Sequence, residues 1–178
     1  MINMRGAPSS VTPPANSAIA NWYEGCDLVD AYAVTLPQYS TDDVQVLAHF
    51  LLAQPPRWLR LLMGLRDAIV APFGIKTSRQ LARVPLTDSS KRIEFFKVYS
   101  NSKNEIILGE NDKHLDFRVS VLRAPPDHSS DGRIIVTTAV RCHNQLGRSY
   151  LALIQPFHRV VVKSHLRRAA RKGWPKAQ

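Results

Sequence analysis

HLDFRVSVLR (residues 114–123) and RIIVTTAVRCH (residues 133–143) are the stretches on which the fold of this chain turns. In the first, Leu115, Phe117, Val119 and Val121 alternate with His114, Asp116, Arg118 and Ser120. In the second, Ile134, Val136, Thr138, Val140 and Cys142 alternate with Ile135, Thr137, Ala139, Arg141 and His143. A period of two belongs to a strand, whose successive side chains point to opposite faces. The turn-rich residues 125–132 separate the two, so an antiparallel pair is the simplest arrangement. Residues 92–100 and 105–110 are two more short segments bounded by Asn, Asp, Gly or Ser, and together the four predict a meander. Such a sheet has one apolar face and one mixed face, so another element must cover the apolar side.

Upstream, residues 30–36 (DAYAVTL) read as a first strand stopped by Pro37. A helix follows, with Ser40 as its expected cap, Asp42 and Asp43 in its first turn, and Val44, Leu47, Phe50 and Leu51 at helical spacing. Pro55 and Pro56 end it and open a second helix, whose stripe is Trp58, Leu61, Leu62, Leu65 and Ile69. Downstream, residues 147–172 form the expected cover, with Tyr150, Leu153 or Ile154, Phe157, Val161 and Ser164 on one stripe and a kink expected at Pro156. The fold class is therefore α+β: an antiparallel sheet, two shorter helices after the first strand, and a long C-terminal helix.

With 178 residues, 44% hydrophobic and 21% charged, the chain suits one globular domain. No run approaches the ~18 apolar residues of a membrane span, and residues 1–18, rich in Pro and Ser, read as a flexible arm without a secretory apolar region. Cys26 and Cys142 fit no metal or redox spacing and read as reduced thiols of a cytoplasmic protein. Up to Asp131 the chain carries 14 basic and 14 acidic residues; beyond it there are 10 basic residues and no acidic one. Seven of those ten lie at or after Arg159. This basic end suits a solvated face, phosphate contacts with nucleic acid, or an anionic surface. Among the charges only Trp174 offers a ring for base stacking, which disfavours nucleic acid.

The candidate chemistry is polar and local. If the strands at 114–123 and 133–143 pair so that facing positions sum to 257, Asp116 lies beside Arg141 and His114 beside His143, all on one face. A carboxylate, an imidazole and a guanidinium together suit acid–base or substrate-positioning work, and equally a solvent-side ion pair. His158 is a further acid–base candidate or a structural histidine, beside the Pro156 break. The catalytic candidates are thus Asp116, Arg141, His143 and His158. Neither a glycine-rich phosphate loop nor clustered metal ligands is present, so no cofactor and no metal are expected.

The motifs LGENDKHLDF (108–117), TTAVRCHN (137–144), LGRSYL (146–151) and PFH (156–158) resemble those of a bacterial family known as domain-of-unknown-function family 2867. The order of elements resembles the START-like superfamily of pollen-allergen proteins and polyketide cyclases. That resemblance implies a helix-grip, in which a curved sheet wraps the C-terminal helix, with residues 19–173 as a single START-like domain and 174–178 as a tail. It also implies an apolar or aromatic small molecule held in a cavity between sheet and helix, near Trp58, Phe117, Tyr150 and Phe157, with cyclase- or dehydratase-type chemistry as one outcome. Related domains occur fused to dehydrogenase-like domains, which implies a dehydrogenase as a partner protein.

Overall fold

The computed structural model of the chain describes residues 6–53, 92–94, 96–126 and 131–177, together with Trp58, Gly64 and Asp67. Its centre is a curved, antiparallel seven-stranded sheet in the order β1-β2-β7-β6-β5-β4-β3. The strands are β1 (Ser9–Ser10), β2 (Leu28–Thr35), β3 (Arg92–Ile93), β4 (Phe96–Asn101), β5 (Glu105–Asn111), β6 (Leu115–Ala124) and β7 (Arg133–Cys142). Strands β3 to β7 form the expected meander, with the expected segment 92–100 divided into β3 and β4, and β2 closes it by pairing with β7 from Leu28↔Val140 to Thr35↔Arg133. The register of β6 on β7 is the one in which positions sum to 257: Asp116 faces Arg141 and Leu115 faces Cys142.

Helix α1 (Val44–Leu52) is capped by Asp43 rather than Ser40. The Asp43 carboxylate accepts from the Gln45 and Val46 amides at 2.8 and 3.3 Å, whereas Ser40 pairs its backbone with Lys176. The second helix expected after Pro56 lies mostly outside the described residues; Trp58, Gly64 and Asp67 within it are helical. Helix α2 (Gln145–Lys172) is a single 28-residue element that runs through Pro156. Its cap is Asn144, whose side-chain oxygen accepts from the Gly147 amide at 3.0 Å.

Both faces of the sheet are covered. On one, Tyr32, Val34, Ile106, Leu108, Val121, Ile134 and Val136 pack against Leu47 and Leu51 of α1 and Leu166 and Ala169 of α2. After α2, Gly173 at φ 79° turns the chain, and residues 174–177, read as a tail, return to the body. Trp174 is buried there, 6.0 Å from the Phe50 ring. The other face is covered by the N-terminal segment. Residues 6–18, from the stretch read as an arm, supply the edge strand β1 and Ser17, and the chain just beyond supplies a 3₁₀ turn at Ala20–Trp22 and Ile19, Trp22 and Tyr23, which pack against Ile107 and Ala139. The segment is pinned by Glu105, a buried carboxylate whose Oε1 accepts from the Ser17 and Ser120 hydroxyls, both at 2.5 Å, and whose Oε2 accepts from the Ala18 amide at 2.7 Å. A buried carboxylate needs such donors, because desolvation without them is costly.

Candidate functional site

The sequence candidates divide between the two faces. Asp116 and His143 meet on the N-terminal-segment side, where His143 Nε2 lies 3.2 Å from Asp116 Oδ2 and the Asp112 amide donates to Oδ1 at 3.2 Å. Arg141, opposite Asp116, turns its guanidinium elsewhere. It donates to the Glu24 carbonyl at 3.2 Å and stands over the Trp22 ring, 5.1 Å from its centroid. Beneath it the buried Arg118 sits between the rings of Trp22 and Tyr99, at 4.3 and 3.6 Å, and donates to the Phe117 carbonyl at 2.8 Å. Both guanidiniums thus stack on Trp22 and fasten the N-terminal segment to the sheet. His114 lies at the strand end, 3.1–3.4 Å from the Asn144 side chain, and its carbonyl accepts from the His143 amide at 2.9 Å.

His158 belongs to the opposite, helix-covered face, so the sheet separates it from the other three candidates. Its Nε2 lies 3.2 Å from Oδ1 of Asp30, with the side chains 20% and 14% exposed. Asp30 faces Thr138 across the β2–β7 pair. Thr138 faces Val119, and Val119 faces Leu108, so one row runs across the sheet from a carboxylate to apolar groups. The neighbouring row contains Phe117, whose ring meets Phe96 edge-on at 5.8 Å. Asp30 Oδ2 is buried without a hydrogen-bond partner among the described residues. A carboxylate oxygen accepts from an imidazole nitrogen that carries a proton, so the tautomer with its proton on Nε2 would satisfy this contact and leave Nδ1 for another group. Beside the pair, burial and then the Asp30 charge push the Tyr32 phenol above its usual 10.0.

Around this pair the helix–sheet interface is loosely closed. From Ala152 to His165, four turns of α2, no residue is fully buried, although Leu151 before them and Leu166 after them are. On the sheet, Phe96, Val98, Phe117 and Val119 are likewise only partly buried. Asp30 was not among the sequence candidates. The signal that could have found it is a carboxylate at a core-facing position, alternating with Leu28, Tyr32 and Val34.

The expected aromatic set does not converge. Phe117 and Tyr150 pack on the cluster of Leu28, Leu115, Val140, Cys142 and Leu151. Trp58 is 42% exposed, and Phe157 points to solvent. The stripe read from sequence for α2 is turned by about one residue: the sheet and α1 receive Leu151, Ile154, Val162, Leu166 and Ala169. A separate groove of about 460 Å³ lies between α1 and the end of α2, lined by Val46, Phe50, Ala53, Arg168 and Lys172 among others. Beneath it the Leu51 carbonyl accepts from Arg168 Nη2 at 2.9 Å and from His165 Nδ1 at 3.0 Å.

A family match spans residues 22–165, from the tryptophan under Arg141 to the histidine that holds Leu51. The chain belongs to the family described as protein of unknown function DUF2867. The matched stretch contains Asp30 and His158 as well as Asp116, Arg141 and His143. No curated protein and no solved structure matches the chain. Among the described residues of this DUF2867 chain, no helix is long and apolar enough to cross a membrane.

Proposed function

We propose that this chain binds an apolar or aromatic small molecule between the sheet and α2, and that the Asp30–His158 pair engages a polar group of that molecule. One observation carries the reading: a carboxylate–imidazole pair 3.2 Å apart inside an interface that four helical turns leave incompletely buried. Polar groups are placed inside an apolar surface only at a desolvation cost, and pockets for small ligands combine apolar walls with a few such groups. The unpartnered Asp30 Oδ2 supports the same reading, because a ligand hydroxyl or amide would satisfy it. The chemistry on offer is proton transfer. His158, oriented by Asp30, takes a proton at Nδ1 and returns it, as cyclisation or dehydration of a carbonyl compound requires.

The test uses N-phenyl-1-naphthylamine, a neutral aromatic probe whose fluorescence rises in apolar surroundings. The expected result is saturable enhancement, weakened about tenfold or more by Val119→Trp, which fills the sheet side of the interface. Ile154→Trp fills it from the helix and keeps the test readable if the first variant loses its fold. Enhancement untouched by both substitutions in folded protein, or none at all, rejects the proposal.

A further inference from the structure

Helix α2 carries a second apolar stripe that stands exposed among the described residues. Leu153, Phe157 and Val160 are 52%, 49% and 56% exposed. Steps of four and three residues put them on one line of the helix, away from the sheet-facing Leu151, Ile154, Val162 and Leu166. The same line continues through Arg167 and Arg171, both exposed. From Leu153 to Arg171 it runs roughly 27 Å, apolar for its first half and cationic for its second. Arg159 is exposed on the adjoining flank.

A solvated face would not expose three large apolar side chains in a row, since contiguous patches of this kind mark interaction surfaces. The charge selects among partners. The chain carries no acidic residue after Asp131, so α2 of a second copy laid on this stripe would offer Arg159, Arg167 and Arg171 no acidic partner. Duplex nucleic acid would take the arginines but offers little to Leu153, Phe157 and Val160. An anionic bilayer uses both halves: its acyl boundary receives apolar side chains, and its head groups receive the guanidiniums.

We propose that the outer stripe of α2 docks this protein on an anionic lipid surface, with Leu153, Phe157 and Val160 entering the head-group boundary and Arg167 and Arg171 on the phosphates. The contact is peripheral, lying on the opposite side of α2 from the Asp30–His158 pair. It is independent of what that pair binds.

Sedimentation of the full chain with phosphatidylglycerol–phosphatidylcholine vesicles, against pure phosphatidylcholine, tests it. The expected result is binding to the anionic vesicles only, lost in high salt. The combined L153S, F157S and V160S substitutions should weaken it about tenfold, and R167E with R171E at least thirtyfold, at about 1 kcal/mol for each cation at the surface. All five side chains are exposed, so thermal midpoints should hold; Phe157→Ser alone serves if the triple variant does not fold. Four results overturn the proposal: no binding to anionic vesicles at low salt, equal binding to neutral vesicles, a dimer in light scattering that Phe157→Ser abolishes, or binding to duplex DNA without binding to vesicles.

Discussion

Replacing Gly147 by alanine separates two opposing forces at the start of α2. Intrinsic propensity favours alanine over glycine inside a helix by about 1 kcal/mol, so an isolated helix would gain. In the folded chain a Cβ at Gly147 would lie 2.2 Å from the His114 carbonyl oxygen and 3.4 Å from the Cys142 Cβ. Real Cβ atoms essentially never approach below 3.0 Å, so helix and strand must part by about 0.8 Å. Neither side yields easily. The His114 oxygen accepts from the His143 amide at 2.9 Å, the first turn of α2 is held by Asn144 at 3.0 Å, and Leu151 is buried one turn on. Overpacking of this kind costs about 1–3 kcal/mol, occasionally more, and here the obstacle is backbone. We expect a net loss of about 2 kcal/mol, which lowers the melting temperature of a chain this size by about 4–8 °C. Urea unfolding followed by circular dichroism measures the difference. An unchanged or raised midpoint for Gly147→Ala would refute the close packing of α2 on the strand ends.

Three further outcomes follow from buried polar groups. Burial holds His165 below its usual 6.5, so the folded chain binds fewer protons than the unfolded one below that pH; stability should be complete above about 6.5 and fall as pH drops through the lower folded value. The urea midpoint should therefore decline from about pH 7.5 to 5.5, and the decline should shrink in His165→Gln. Glu105→Ala leaves the Ser17 and Ser120 hydroxyls and the Ala18 amide without their acceptor, at about 1–3 kcal/mol for each group left unsatisfied. Limited proteolysis should then cut within residues 6–26 faster than in the parent, and an unchanged cleavage pattern would count against Glu105 as the pin. Burial pushes the Cys142 thiol up to about 11, so iodoacetamide at about pH 8 should label it far more slowly than a free thiol; labelling at the free-thiol rate would show that the site opens.

The meander was legible because a period of two and clusters of turn residues survive in residues 92–143, and the short loop after β6 allowed the register of Asp116 on Arg141 to be counted. Other features left no periodic trace. The N-terminal segment lies on the other face of the sheet with little regular structure, so residues 1–18 read as an arm from their Pro- and Ser-rich composition although Ser17 is buried and bonds Glu105. Helix α2 carries two apolar lines about one residue apart, and periodicity alone cannot tell Ile154 and Val162, which face the body, from Leu153 and Phe157, which do not. His158 stood out in the sequence as a histidine near a proline. Its partner did not, because Asp30 lies 128 residues away and only the closure of β2 on β7 brings it under α2. Arg141 looked available beside Asp116, but its Nη2 donates to the Glu24 and Trp22 carbonyls.

Backbone amide shift mapping by NMR during titration with N-phenyl-1-naphthylamine tests the central claim most directly. The account predicts shifts gathered at Asp30, Val119, Thr138, Ile154 and His158, from both sides of the helix–sheet interface. Shifts gathered instead at Val46, Phe50 and Lys172, in the groove beside α1, or none at saturating probe, would contradict it.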